Sequence, residues 1–208
     1  VQAGLAPPPT RVIFADHMQL LRYLANGDAL PAGQINQRLS AGVKALQWPA
    51  LYTRLHTLRH FPKYRAKRYD HYKRAALARA AGNATPTQRV LADGLSAEIQ
   101  QSNILVPAGQ VVFHGRSDQH PSATPRFDAF LSTTLSPFVA RQSAERRVLQ
   151  LGGRRTVYAL TLQRDIRALW GHVGRSCEWE LLLDAGLAIQ ATAHHQGAVF
   201  DIVEAAIS

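Results

Sequence analysis

Two glutamates, Glu178 and Glu180, have a spacing that suits acid–base chemistry. They lie in residues 176–183, which are aromatic and β-rich, lead into a leucine run and precede a turn at 184–186. This pattern predicts a strand whose later part is buried. Because side chains two residues apart on a strand point to the same face, we expect the two carboxylates to project together. Such a pair is typical of acid–base or cation-stabilising chemistry. The alternative is an edge strand that shows its polar face to water.

A run of three hydroxyl side chains, Ser132-Thr133-Thr134, ends a second predicted strand at 127–134. By itself such a run indicates a polar cluster at a strand end. Ser136 follows as a candidate N-cap, and Pro137 occupies the first position of a predicted helix that extends to about residue 150. The hydroxyl groups are therefore expected where a strand feeds a helix.

A third predicted strand, 104–116, ends in His114-Gly115-Arg116. The histidine and the arginine share a face only if the strand runs on regularly past Gly115, because glycine permits a bulge that would turn Arg116 away. For His114 alone, the alternative is a strand-end histidine whose ring is satisfied by the backbone.

The composition describes a globular protein with a strong positive charge. The 208 residues can form one substantial domain or two small ones, and the hydrophobic fraction is 46%. The net charge of +10 indicates an acidic partner, such as nucleic acid, an anionic surface or a phosphorylated ligand. The single cysteine, Cys177, excludes an intramolecular disulfide and a multi-cysteine metal site, so no metal is expected. No apolar run approaches the roughly 20 residues of a membrane span, and we predict no membrane partner.

The helices and strands that must position these side chains are predicted from the spacing of apolar residues, and this spacing changes from a helical to a strand period halfway along the chain. After a proline-rich lead-in at 1–10, helical patterns cover 17–25, 34–46, a stretch from Pro49, 62–80 and a stretch opened by the capping box at 85–88. From residue 104 the patterns are those of strands, at 104–116, 127–134, 156–163, 177–183, 187–193 and 198–203. We therefore predict an α+β fold, with a helical part at 11–103 packed on a largely antiparallel β core at 104–208 within a single domain.

Three motifs follow one another along the chain: Val112-Phe113-His114-Gly115-Arg116, Phe130-Leu131-Ser132-Thr133-Thr134 and Glu178-Trp179-Glu180. In this order they resemble the mono-ADP-ribosyltransferases, specifically the arginine-modifying branch. That branch has an aromatic-Arg-Gly strand end, an aromatic-x-Ser-Thr-Ser strand and a Glu-x-Glu after a mobile loop. The chain also resembles the effector toxins that plant-pathogenic bacteria inject into host cells.

The resemblance implies an ADP-ribosyltransferase-like fold with a two-sheet β core, and an NAD cleft without a metal. It implies that ADP-ribose passes from NAD to arginine side chains of a host protein. Glu180 would stabilise the positive charge that develops on the ribose, and Glu178 would orient the incoming guanidinium and help to remove its proton. Ser132 would hold the strand and the nicotinamide pocket together, with hydroxyls from Thr133 and Thr134 nearby. Because the sequence begins at Val1, we expect a secretion segment to have been removed.

One motif departs from this family. His114 stands where an NAD-binding arginine is expected, and a His-Gly at this place resembles the diphtheria-toxin and poly-ADP-ribose polymerase branch. Arg116 is the candidate that would reach the pyrophosphate instead. The change leaves a second class of function open, a catalytically impaired module that binds an Arg-bearing partner in the acidic cleft or through its basic helices.

Two further regions bear on the acceptor. The stretch between Asp165 and Cys177 contains glycines and an aromatic residue, which suit a mobile acceptor loop with Trp170 and Arg175 as contacts. The basic helix at 62–80 interleaves lysines and arginines with Tyr64, Tyr69 and Tyr72, as nucleic-acid surfaces do. A nucleic-acid acceptor is therefore an alternative, although a solvated helix whose tyrosines enter the core explains the same pattern.

Overall fold

The computed structural model of the chain describes residues 58–102, 104–106, 108–118, 127–170 and 180–208. The predicted lead-in at 1–10 and the helices predicted before residue 58 lie outside the described residues. The helical part expected at 11–103 is therefore seen only from residue 58 onward.

Two of the described helices begin where the capping signals of the sequence place them. They are α1 (Phe61–Lys63), a π-helical turn (Tyr64–Arg68), α2 (Tyr69–Ala80), α3 (Pro86–Gln100) and α4 (Pro137–Leu151). At the start of α3, Thr85 and Gln88 form the predicted capping box, with the backbone N–H of Thr85 donating to Gln88 Oε1 at 2.9 Å. At the start of α4, the Ser136 hydroxyl accepts a hydrogen bond from the backbone N–H of Val139. We call residues 61–80 the basic helical segment.

The eight described strands are β1 (Ile104–Val106), β2 (Val111–Asp118), β3 (Leu131–Thr134), β4 (Arg154–Leu162), β5 (Ile166–Trp170), β6 (Glu180–Leu183), β7 (Ile189–His195) and β8 (Asp201–Ile207). Their order is β1-β5-β6-β3-β2-β4-β8-β7, and all neighbours are antiparallel except β4 and β8. The eight strands form one sheet and not the two sheets expected; its two halves are joined through the single pair Phe113↔Thr134 between β2 and β3. The predicted α+β fold with a largely antiparallel β core is confirmed.

Several strand boundaries differ from those predicted. The strand expected at 104–116 is two strands, separated by a turn in which Gly109 has a φ of 82° that L-residues rarely adopt. The strand expected at 127–134 begins at Leu131, and Phe127 makes only an isolated bridge with Leu187. Residues 166–170, expected in a loop, form strand β5 instead, because Ile166, Ala168 and Leu169 are buried and the strand pairs with both β1 and β6.

Strand β2 stays regular through Gly115. Its pairing with β4 is continuous from Val111↔Thr161 to Asp118↔Arg154, without a register shift. The absence of a side chain at Gly115 is required by α4, since a Cβ at this position would lie 1.8 Å from the carbonyl oxygen of Ala140. The glycine thus allows α4 to lie directly on the sheet and does not create a bulge.

The core consists of three apolar clusters, and two of them join helices to the sheet. One cluster fills the face that includes Val112 and Leu181, and a second lies between α4 and Phe113. The third joins the basic helical segment to β6, because Phe61, Tyr64 and Tyr72 pack with Leu182. The strand that carries Glu180 and the segment that carries Tyr64 are therefore parts of one packed unit. Within the described part of the chain, none of the helices is both long and apolar enough to span a bilayer.

Candidate active site

The site centres on Glu180, the first described residue of β6. Its strand pairs with β3 in the register Thr134↔Glu180 and Ser132↔Leu182. The Ser132 hydroxyl donates a hydrogen bond of 2.5 Å to Glu180 Oε1. This contact is diagonal across the two strands, and the short distance is that of a hydrogen bond from a hydroxyl to a charged acceptor. The structure thus brings Ser132 and Glu180 together, two residues from different predicted motifs.

The other two hydroxyl groups of the Ser-Thr-Thr run bind backbone atoms. Thr133 Oγ1 donates to the carbonyl oxygen of Leu181 at 2.8 Å, and Thr134 Oγ1 accepts from the backbone N–H of Ser136 at 3.0 Å. Both threonines are buried. These bonds hold β3 against β6 and hold the start of α4, so they fix the strand that presents Ser132.

His114 is tied to the same strand as Ser132. Its Nδ1 lies 2.7 Å from the carbonyl oxygen of Ser132, and since a carbonyl oxygen only accepts, Nδ1 carries the proton. Burial lowers the pKa of His114 to about 4, and the positive charge of Arg116 adds to this effect while the Ser132 carbonyl opposes it. The ring is therefore neutral at pH 7, and its Nε2 is a hydrogen-bond acceptor.

Arg116 lies on the same face of β2 as His114, which confirms the expectation that the strand runs on regularly past Gly115. The guanidinium carbon of Arg116 lies 5.4 Å from the ring centroid of Phe127, and the His114 ring packs edge-on against the same phenylalanine at 5.2 Å. Phe127 therefore holds the two polar side chains on one side of the sheet.

The basic helical segment supplies two site residues that the sequence did not single out for the site. Arg65 Nε lies 3.6 Å from Glu180 Oε2, and the two side chains are 21% and 14% exposed. Tyr64 is buried beside this pair, and burial, followed by the charge of Glu180, raises the pKa of its phenol, which is therefore protonated at pH 7. No local signal distinguishes Arg65 from the other basic residues of the segment. Its contact with Glu180 could be predicted only by knowing that the segment packs on β6.

A cavity of about 720 Å³ connects these groups, apart from Arg65. Its walls come from the basic helical segment, β2, β3, the start of β6 and α4, and they contain Glu180, Ser132, His114 and Arg116. Arg146 and Arg147 of α4 and Lys73 of α2 add positive charge to the same walls. The guanidinium carbon of Arg147 lies 5.8 Å from the ring centroid of Tyr69 and so links α4 to α2 across the cavity. No motif in the sequence pointed to either α4 arginine.

The remaining predicted site residues have different outcomes. Glu178 and Arg175 lie outside the described residues, and their predicted roles stay predictions. Trp170 is the last residue of β5 and pairs with Leu181, so its backbone belongs to the sheet and not to an acceptor loop. Among the residues that the structure describes, no three His, Cys, Asp or Glu side chains come together in a group that could hold a metal ion.

Comparisons with known proteins agree on the fold. No protein-family model and no curated protein matches this sequence. Among solved structures, the ADP-ribosyltransferase Vis in complex with agmatine is similar over 89% of this chain and 90% of its own, at 12% identity and a TM-score of 0.61. Vis is a toxin from Vibrio splendidus.

Two further similar structures are components of clostridial toxins. The ADP-ribosylating toxin BECa of C. perfringens, solved with NADH, matches 82% of this chain at 14% identity and a TM-score of 0.56. The enzymatic component C2-I of the Clostridium botulinum C2 toxin matches 78% at 12% identity and a TM-score of 0.53. The match covers 48% of each of these two proteins. The chain therefore has the fold of the mono-ADP-ribosyltransferase toxins, as the sequence motifs predicted.

Proposed function

We propose that this protein is a mono-ADP-ribosyltransferase that transfers ADP-ribose from NAD to arginine side chains of a target protein. The observation that carries the proposal is the hydrogen bond from Ser132 to Glu180 in the wall of a charged cavity. It brings together two motifs that are far apart in sequence, in a fold shared with ADP-ribosyltransferase toxins.

The cavity has the size and charge that a dinucleotide needs. Its volume of about 720 Å³ lies within the usual range for ligand sites. Arg116, Arg146, Arg147 and Lys73 on its walls suit a diphosphate, because guanidinium groups bind phosphate oxygens in pairs of hydrogen bonds. The neutral His114 ring offers Nε2 to a hydroxyl group, so it suits a ribose better than a phosphate. When bound, NAD supplies the ADP-ribosyl group with nicotinamide as the leaving group.

Glu180 is the residue that lowers the barrier to cleavage of the nicotinamide–ribose bond. Positive charge develops on the sugar as this bond breaks, and a carboxylate already held in place stabilises it without reorganising at that moment. The Ser132 hydroxyl fixes one oxygen of that carboxylate, and the pairing of β6 with β3 fixes the backbone beneath it.

Arginine is the acceptor that best fits the described groups. Arg65 shows that a guanidinium group can lie beside Glu180 Oε2 within the folded chain. Vis was solved with agmatine, a small molecule that ends in a guanidinium group. Deprotonation of the acceptor is assigned to Glu178, because a guanidinium group is a poor nucleophile while it stays protonated.

The packing of the basic helical segment argues against a nucleic-acid acceptor. Tyr64 and Tyr72 are 9% and 1% exposed and lie in an apolar cluster, so they are not available to stack on bases. Only Tyr69, at 40%, reaches the surface, and its ring lies beside Arg147. The positive charge near the site is better explained as attraction for the diphosphate of NAD.

The test is incubation with NAD labelled in its ADP-ribose part, together with host lysate, followed by separate protease and nuclease treatment. We expect release of nicotinamide and a labelled product that protease removes. Label that survives protease but not nuclease would show a nucleic-acid acceptor. Absence of NAD binding by calorimetry, with binding restored by His114→Arg, would show an impaired module instead.

Several solved structures with this fold are bacterial toxins, which supports a role for the chain as a secreted bacterial effector that acts inside a host cell. Delivery of the wild-type chain should label arginines of host proteins and harm the cells, whereas a Glu180→Gln chain should do neither. Equal toxicity of the two chains would contradict this role.

A further inference from the structure

The ion pair between Arg65 and Glu180 places one of the protein's own arginines beside the carboxylate at the centre of the site. Arg65 Nε lies 3.6 Å from Glu180 Oε2, and the Arg65 side chain is largely shielded from solvent. We propose that Arg65 is a site of self-modification, at which the chain transfers ADP-ribose to its own guanidinium group. This inference rests on the proposed transferase function.

The packing of the basic helical segment delivers Arg65 to this position. Phe61, Tyr64 and Tyr72 are buried in the cluster that also contains Leu182, two residues after Glu180 on β6. The carboxylate of Glu98 accepts hydrogen bonds from the backbone N–H groups of Arg59, His60 and Phe61, at 2.6–2.8 Å, where the segment begins. Arg65 is therefore presented by an anchored helix, and its approach to Glu180 follows from the fold.

The chemistry needs only NAD as co-substrate. A guanidinium nitrogen of Arg65 forms a bond to C1 of the ribose, while the bond from that carbon to the nicotinamide nitrogen breaks. The electron pair of the broken bond leaves with nicotinamide, and the guanidinium group loses a proton to water. No oxidation or reduction takes place, and one NAD is consumed for each modified chain.

The modification has a consequence for the enzyme itself. Attached ADP-ribose adds the two negative charges of its diphosphate beside Glu180, which lies in the wall of the cavity that the next NAD would use. The diphosphate and the Glu180 carboxylate repel each other because both are negative, and the Arg65–Glu180 ion pair is lost. Self-modification should therefore limit turnover. We expect a burst in which one equivalent of nicotinamide is released per chain, after which the rate of release declines.

The test is peptide mapping by mass spectrometry, with electron-based fragmentation that keeps the sugar attached, after incubation of the purified chain with NAD. We expect ADP-ribose on Arg65, formed at a rate per chain that does not depend on protein concentration. Arg79 is the matched control within the same chain: it lies on α2 and has an ion pair of 3.0 Å with Asp93, whereas Arg65 pairs with Glu180. It should remain unmodified.

A mixing experiment separates modification within the chain from modification between chains. Wild-type protein is mixed with an isotope-labelled Glu180→Gln chain, whose Arg65 should stay unmodified because only its own site could reach it. Modification of Arg65 in that chain would overturn the proposal, as would an unmodified wild-type Arg65 in a sample that still ADP-ribosylates agmatine. If the chain releases no nicotinamide and modifies no acceptor at all, the proposed function and this inference both fail.

Discussion

The hydroxyl group of Ser132 donates a 2.5 Å hydrogen bond to Oε1 of Glu180, across 48 residues of sequence. The two side chains come from adjacent strands whose backbones are paired, so their separation is fixed by the sheet and not by a loop. This relationship is the one on which the proposed chemistry depends, and the predictions start from it.

Replacing Ser132 by alanine should lower the rate of nicotinamide release by about 10- to 100-fold. A hydrogen bond to a charged group contributes about 1.5–3 kcal/mol, and here it orients the carboxylate that stabilises the developing charge. The rate is measured on the pure variant with saturating NAD. Ser132→Thr keeps the hydroxyl group and should retain more activity than the alanine variant. Equal rates for Ser132→Ala and the wild type would show that the bond does not serve catalysis.

Glu180→Gln should abolish both transfer to arginine and NAD hydrolysis while the melting curve changes little, because the amide keeps the shape of the side chain but not its charge. Glu145→Gln is the matched control, since Glu145 also pairs with an arginine, Arg141, at 3.1 Å but lies outside the cavity wall. The control should keep full activity. A Glu180→Gln chain that works at near-normal rates would remove Glu180 from the catalytic role.

The two polar residues of β2 should contribute unequally to NAD binding. Arg116→Ala should weaken the affinity measured by calorimetry by about 1.5–3 kcal/mol, the range for a hydrogen bond to a charged group. His114→Ala should cost less, because its Nδ1 already binds the Ser132 carbonyl and only Nε2 is left for a ligand. A larger loss for the histidine variant would place the main NAD contact at His114.

The partly buried His114 should make the free energy of unfolding depend on pH. The folded-state pKa of His114 is about 4, below the unfolded value of 6.5, so the unfolded chain binds a proton that the folded chain does not. This contribution to stability is complete above pH 6.5 and is lost as pH falls toward 4, by up to about 1.4 kcal/mol per pH unit. His114→Gln should show a flatter profile of unfolding free energy over this window. Parallel profiles for the His114 variant and the wild type would contradict the assignment.

Gly115→Ala should lower the free energy of unfolding by about 1–3 kcal/mol, the range for overpacking a core. Its Cβ would meet the backbone of Ala140 and Ala144, and backbone atoms cannot move aside as side chains can. Denaturant unfolding measures the loss, and NAD affinity should fall with it because α4 carries Arg146 and Arg147. A stable Gly115→Ala protein would mean that α4 can lie farther from β2 than the structure shows.

Short-range patterns in the sequence were enough to predict the local elements and the order of the chemical motifs. The capping box at Thr85, the N-cap at Ser136 and the hydroxyl run on β3 depend on residues a few positions apart, and short-range rules describe them well. That His114 and Arg116 share a face could also be predicted from the two-residue period of a strand, because the strand is regular at Gly115.

Only the tertiary structure decided which of these elements meet. Residues 166–170 were expected in a loop and form β5, because burial between β1 and β6 outweighs the weak local signal of a short strand. Arg65 could not be distinguished from the other cations of the basic helical segment, since its contact with Glu180 depends on the packing of Tyr64, Tyr72 and Leu182. Periodicity encodes the face that a segment buries, whereas the partner of that face is chosen by the packing of the whole chain.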